Sequence, residues 1–379
     1  MSSETETETE TESKTPGRFG RLYQGLTTID FVGRRRTWFL ISIIVIVVGL
    51  GSLGIRGFNL GIDFRGGSSW EVKAPHTSIS AVTSAVDKAG LSQPTVEKLG
   101  ADTYQVTADL NALSSTRQND ITTAVVNAMA KLAHANPNDV STSNVGPTWG
   151  GQITRRALEA LIVFFIAVVA YISMRFEPKM ALAAFIAMVH DLLVTVGVFS
   201  LFGFQITPDT VIALLTILGY SLYDTVVVFD RVRDNTGGVL KAGDMSYGEM
   251  VNLSMNQTLA RSINTSLVAI LPVLSVLIVG AYILGATTLQ NYGLALVVGL
   301  FSGAYSSIFI ASPLLAAFKE REPRFRELAE RVAAKSERRV VTPAAAALLG
   351  ADGPQRSAQS TARSANSPVQ ARPRKQKRR

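Results

Sequence analysis

The sequence predicts a polytopic α-helical membrane protein with six transmembrane helices and one α+β domain between helices 1 and 2. Three observations carry this. Apolar residues make up 47% of the 379 positions, too many for a soluble chain of this length unless part of it sits in lipid. They come in blocks, six of them close to or above the ~20 residues needed to cross a hydrocarbon core. Between the first block and the other five lies a stretch of mixed charge with regular strand and helix signals. The chain has no cysteine, which excludes disulfides, thiolate metal sites and thiol catalysis. Its three histidines, His76, His134 and His190, are too scattered for a metal cluster, so neither metal nor cofactor is expected.

Taken in order, residues 1–36 read as a cytoplasmic tail. The first thirteen are Glu/Thr-rich without apolar periodicity and should be disordered. Helix 1, residues 37–55, follows Arg34-Arg35-Arg36 and resembles a signal sequence, but no A-x-A-like site follows, so it reads as a retained anchor. Residues 56–154 form the outer domain. Ser69–Lys73 reads as a strand and Ser78–Ala89 as an amphipathic helix ending at Gly90. Thr95–Leu99 and Tyr104–Ala108 flank a Gly100-Ala101-Asp102 turn, Ile121, Val125, Met129 and Leu132 make Ser115–Ala133 helical, and Val140–Val145 closes as a strand. The order βαββαβ is a split βαβ, ferredoxin-like arrangement. Such a fold is a binding or leverage platform rather than a catalytic signature.

Residues 155–318 hold the other spans: Ala157–Met174, Met180–Leu201, Pro208–Phe229, Ala260–Ile283 and Leu289–Phe318, the last long enough to extend beyond the bilayer. Pro272 predicts a kink in the fifth. Ala295, Gly299, Gly303 and Ser307, four apart, put small residues on one stripe of the sixth, where a neighbour can approach closely. Residues 319–379 are a basic cytoplasmic tail, disordered from Thr342. Sixteen of the 37 Lys and Arg follow Phe318, giving most of the net charge of +8. Beside a membrane span such a tail points to anionic lipid rather than to a specific nucleic acid; ribosomal RNA is a weaker reading.

Orientation follows from Lys and Arg in the short connections. Phe202–Thr207 and Gly285–Thr288 contain neither, whereas Arg175–Lys179 holds two and Asp230–Thr258 holds Arg231, Arg233 and Lys241. Six spans on this pattern leave both termini in the cytoplasm and residues 56–154 outside.

The informative residues are ionisable groups inside spans, which cost several kcal/mol unless paired or hydrated. His190 and Asp191 lie about ten residues, ~15 Å, from the inner end of the third span. Asp224 lies about fifteen residues, ~22 Å, from the outer start of the fourth. Arg261 and Asn264 occupy the first turns of the fifth. Asp191, Asp224 and Arg261 are therefore expected to meet between mid-membrane and the inner face, with Tyr220, Ser221 and Thr225 supplying hydroxyls. One reading is a proton relay; the other is a structural Asp224–Arg261 pair. The surplus carboxylate favours the relay, because one guanidinium cannot neutralise two buried acids. His190 is equally readable as a path member or a packing histidine. Asp209 reads as a helix start after Thr207 and Pro208, Asp230 and Arg231 as interfacial anchors, and Glu159 as near enough to water.

These residues resemble a known family. Gly61-Ile62-Asp63-Phe64-Arg65-Gly66-Gly67 resembles the G-I-D-F-x-G-G signature shared by SecD and SecF. The run 218–231, with Gly219-Tyr220-Ser221, Asp224-Thr225 and Phe229-Asp230-Arg231, resembles the fourth-span SecF motif; 259–266 resembles the fifth-span L-S-R-T-I-N-T-S, and Val189-His190-Asp191 matches V-H-D of the third. Tyr223 stands where the family usually has Asn, and Arg65, Ala260 and Ser262 are further departures. The resemblance covers about 34–318. It implies a resistance-nodulation-division type half-transporter that pairs with SecD and uses the proton-motive force to assist export. Its implied partners are the SecYEG translocon, with YidC and YajC, the exported polypeptide, and the lipid of the bacterial cytoplasmic membrane. It also implies a proton-conducting role for Asp224 and Arg261. A proton-coupled exporter of small molecules or lipids in the same superfamily would share the relay, but Gly61–Gly67 belongs to the export branch. An intramembrane aspartyl protease needs a second acid in a G-x-G-D context within a span; Ala242-Gly243-Asp244 lies in a polar loop and lacks the first glycine. No enzymatic activity is therefore expected. A scaffold without energy coupling would not need acids at depth.

Overall fold

The computed structural model describes residues 27–335 except 244 and 287. The disordered ends expected from composition lie outside the described residues. The first of two units runs to Leu328 and holds every element discussed below.

Six helices are long and apolar enough to cross a membrane. They are α1 (Arg35–Arg56), α5 (Pro147–Arg175), α6 (Pro178–Phe202), α7 (Pro208–Ala242), α8 (Tyr247–Ser275, continuing as a π-helix over Val276–Ile283) and α9 (Thr288–Ser306). A π-turn, Ser307–Ala311, joins α9 to a final helical stretch, Ser312–Lys319. Much of the apolar surface of α1 and α5 is exposed, including Ile43, Val47, Val163 and Ile166, as helices facing lipid require. Helix α6 buries several small residues, among them Ala183, Ala184 and Ala187. After Pro272, which cannot donate to the helical ladder, the hydrogen-bond register of α8 widens to the π form.

Close approach explains the small residues. A Cβ on Gly49 of α1 would lie 2.6 Å from Cα of Gly197 on α6, so these helices touch backbone to backbone. The stripe on α9 faces α7. Ala295 is fully buried, Gly299 meets Ile217, Gly303 meets Ser221, and Ser307 meets Asp224. Residues 217, 221 and 224 share one face of α7 at helical spacing. The stripe thus sets two polar side chains of α7 against α9.

Between α1 and α5 lies the sheet domain. A short helix, α2 (Ile62–Arg65), precedes β1 (Gly67–Lys73), α3 (Ile79–Lys88), β2 (Thr95–Leu99), β3 (Thr103–Ala108), α4 (Ser115–Ala133) and β4 (Ser141–Val145). The sheet is antiparallel in the order β2-β3-β1-β4, with Trp70 opposite Val106 and Thr142. This is the split βαβ topology, and its elements stand close to where the sequence places them. Trp70, Val72, Tyr104 and Val106 pack under Val82, Val86, Val125 and Met129 of the two helices. Ser78 and Ser114 cap α3 and α4 with their hydroxyls.

The motif at 61–67 fastens this domain to the bundle. Gly61 N–H donates to Ile206 O, and Thr154 of α5 donates to Phe64 O. Gly66 and Gly67 have φ of +79° and +124°, and added Cβ atoms would lie 2.9 Å from Pro147 Cα and 2.7 Å from Ala108 O. Both the backbone angle and the space demand glycine. The β2–β3 turn supplies a second fastening, because Gly100 N–H donates to Gln290 and the turn abuts Ala281.

Candidate functional site

Two carboxylates are sealed inside the bundle. Asp191 of α6 is 0% exposed and Asp224 of α7 is 2% exposed. Their surroundings differ. Four donors converge on Asp191. Oδ2 accepts from Ser221 at 2.6 Å and from Ser306 at 2.7 Å; Oδ1 accepts from Ser302 at 2.8 Å and lies 3.1 Å from His190 Nδ1. That matches the roughly four lone-pair sites of a carboxylate. Among the described residues Asp224 accepts one hydrogen bond, from Ser307 at 2.6 Å through Oδ2. The sites adjoin, because Ser306 serves one carboxylate and Ser307 the other.

The helix that joins them is α9. Its close packing on α7 brings Ser302, Ser306 and Ser307 within reach, and a π-turn begins at Ser307. Insertion of a wider turn re-aims side chains around it, a feature that recurs at functional positions in helices. His190 serves both of its sequence readings. Its Nδ1 reaches Asp191, while its ring stacks on Tyr305 at 6.0 Å between centroids. Its Nε2 is buried without a partner among the described residues.

The structure does not bring Arg261 to these acids. The guanidinium is exposed and donates to the Tyr223 hydroxyl at 3.3 Å, and no Arg261–carboxylate ion pair exists among the described residues. The expected meeting of Asp191, Asp224 and Arg261 is therefore corrected to a meeting of the two acids alone. The reason is helical rotation. Tyr223 precedes Asp224 by one residue, about 100° around α7, so it points away from the interior. Arg261 likewise turns away from the buried Ser262 and Ser266 of α8. Asn264 shares the exposed side of α8. The structural Asp224–Arg261 pair is absent as well.

The remaining polar residues lie where simple roles suffice. Thr207 Oγ1 accepts from Thr210 N–H at the start of α7, Asp230 pairs with Arg175 and Arg233, and Glu159 pairs with Arg155 and Arg156. At the bundle end opposite the sheet domain, buried Lys319 pairs with Glu177 and Glu322, and Arg35 pairs with Glu320.

Sequence reasoning missed Ser302 and Ser306 and read Ser307 only as a small packing residue. The available signal was three serines within six residues of a largely apolar span.

Comparison with known proteins follows the same lines. Residues 124–321 match the family described as "Protein export membrane protein SecD/SecF, C-terminal", and residues 51–74 match the "SecD/SecF GG Motif". The chain is 42% identical to protein translocase subunit SecF of Streptomyces coelicolor over 316 residues, 83% of each chain. It is 36% identical to protein translocase subunit SecDF of Bacillus subtilis, over 77% of this chain and 38% of that one. Among solved structures, the crystal structure of SecDF from Thermus thermophilus matches with a TM-score of 0.69 and 30% identity, over 78% of this chain. The match spans 39% of the Thermus chain. In sequence, in span arrangement and in the glycine motif below the sheet, the chain belongs to the SecF family of protein translocase subunits.

Proposed function

We propose that this multi-pass membrane protein is the SecF half of a SecDF export motor, with Asp224 as the group that takes up and releases protons. The observation that carries the reading is the unequal provision of the two acids. Asp191 has four donors and is held as a fixed polar centre. Asp224, equally buried, has one among the described residues. An ionisable group inside a membrane span is costly, and proton relays are built from such acids. Asp191, His190 and the serines form the adjoining path. Each proton carries roughly 2.3 kcal/mol per 100 mV, so a few per cycle supply a useful stroke.

Arg261 and Asn264 act from the exposed face beside Tyr223. An arginine turned to lipid is costly, which supports a covering protein surface there, and a SecD-type half is its natural occupant. The SecDF relatives support such a partner, since the matched region is 38% of the Bacillus chain and 39% of the Thermus chain. SecYEG is the translocon served, YidC and YajC are further associates, and the exported polypeptide meets the sheet domain outside. Both termini then face the cytoplasm, in the cytoplasmic membrane, with the sheet domain as lever. The rival reading, a small-molecule or lipid exporter, leaves the glycine motif unused.

Asp224→Asn tests the reading. It should insert and pair with SecD normally yet lose proton-motive-force-stimulated export, and Arg261→Ala should impair the same step. Wild-type stimulated export in Asp224→Asn would remove the relay.

A further inference from the structure

Two apolar stripes face each other across an open cleft at the sheet-domain end of the bundle. Ile153, Ala157 and Ala160 of α5 stand three and four residues apart on one helix face, and Val211, Ile212 and Leu215 of α7 do the same. Stripes at this spacing interdigitate where helices pack. These enclose about 670 Å³ instead, whereas close-packed interiors leave few voids larger than a water. Ile212 remains 54% exposed, so the cleft is open to whatever surrounds the bundle.

The polar groups of the cleft sit at one level. Arg155 and Arg156 line it, and no acidic side chain does so among the described residues. Each arginine donates once to Glu159, through Nε and Nη1 respectively. Two guanidiniums sharing one carboxylate keep a net positive charge, and both arginine side chains stay 82% exposed. Arg175 closes α5 at its other end. About 20 residues at 1.5 Å each cross ~30 Å of hydrocarbon, and counted from Arg175 they end at Arg156. The guanidiniums thus stand where hydrocarbon gives way to headgroups. Trp149, 60% exposed, lies about two turns beyond, at the level where its amphipathic ring is favoured.

Ring, cations and apolar trough follow one another as headgroup, phosphate and acyl chain do in a glycerophospholipid. An apolar partner helix would fill the trough but leave two cations without counter-charge. We propose that this cleft holds one anionic phospholipid of the leaflet on the sheet-domain side, its phosphate against Arg155 and Arg156 and an acyl chain between α5 and α7. The adjoining face of the same turns of α5 grips the glycine motif. A Cβ on Gly150 would lie 2.8 Å from Phe64 O, and Thr154 donates to that oxygen. The lipid thereby braces the helix on which the sheet domain is seated.

The test uses the full chain, co-purified with a SecD-type partner, in phosphatidylcholine nanodiscs. The probes are phosphatidylglycerol and phosphatidylcholine spin-labelled on the acyl chain, and electron paramagnetic resonance reads the motionally restricted fraction. The expected result is a restricted excess of phosphatidylglycerol over phosphatidylcholine that saturates at one lipid per chain and is not displaced by inorganic phosphate. Arg155→Gln combined with Arg156→Gln should abolish the excess, and Leu215→Trp, which fills the trough without altering charge, should abolish it too. Glu159→Gln should strengthen it about two- to fivefold by releasing both guanidiniums. Arg117→Gln, on the exposed side of α4, should leave it unchanged. Equal restriction of the two lipids in the unaltered complex, as a partner helix covering the cleft would give, would overturn the proposal. So would an excess that survives the double glutamine variant or that inorganic phosphate displaces.

Discussion

Replacing Ser307 with alanine removes one oxygen from the sealed interior and leaves the Asp224 carboxylate without a hydrogen-bond donor among the described residues. The bond is short, 2.6 Å, and its acceptor is 2% exposed. Water cannot readily replace the lost donor. A hydrogen bond to a charged group contributes about 1.5–3 kcal/mol, and about 1.4 kcal/mol is a factor of ten. A step that depends on this bond should therefore slow ten- to about 150-fold. If that step occurs once per cycle, export slows in proportion. The assay is preprotein translocation into proteoliposomes carrying this chain, SecD and the translocon, with and without an imposed proton gradient. Ser302→Ala is the internal control, because Asp191 keeps three of its four donors. The gradient-dependent rate should fall far more in Ser307→Ala than in Ser302→Ala. Equal losses, or wild-type stimulation in Ser307→Ala, would refute the idea that Asp224 is the under-provided group.

Three further outcomes follow from the packing and the charges. Gly303→Val places a Cβ 2.9 Å from that of Ser221; forcing α7 from α9 should cost about 1–3 kcal/mol, visible as a lower melting temperature in detergent. Gly67→Ala, at φ +124° with Ala108 O 2.7 Å from the new Cβ, should cost at least about 1–3 kcal/mol in backbone strain and make the sheet domain more sensitive to protease. Asp63 binds its proton more tightly in the folded chain than at its ordinary value of 3.8, through burial and then through Asp209. Its contribution is therefore most favourable at low pH and is lost as pH rises through the folded value. Asp209→Asn should raise thermal stability at neutral pH, with the gain over wild type shrinking toward pH 4; a gain independent of pH would contradict this linkage.

Much of the architecture was legible in the residues, for a physical reason. Lipid-facing helices such as α1 and α5 must be apolar nearly all round, so their blocks stand out. The strands and helices of the outer domain alternate or repeat cleanly because each has one buried face, as Val82, Val86, Val125 and Met129 show. Rotation about helix axes was harder to read. Tyr223 and Asp224 are adjacent in sequence yet face opposite surroundings, so depth alone could not say that Arg261 would meet the tyrosine. The serines were obscured by their size, since Ser307 satisfies a small-residue stripe as well as a hydrogen-bonding network. The seating of Gly100 against Ala281 and Gln290 joins residues too distant in sequence for any local pattern to predict.

Infrared difference spectroscopy of the reconstituted SecD-paired protein, resolving the carboxyl stretch that disappears in Asp224→Asn, bears most directly on the motor. A protonated-carboxyl band that grows and fades as pH or membrane potential is stepped, and that is missing from the variant, is the predicted result. A band absent under every condition, with Asp224 ionised throughout, would leave a six-span membrane protein without its engine.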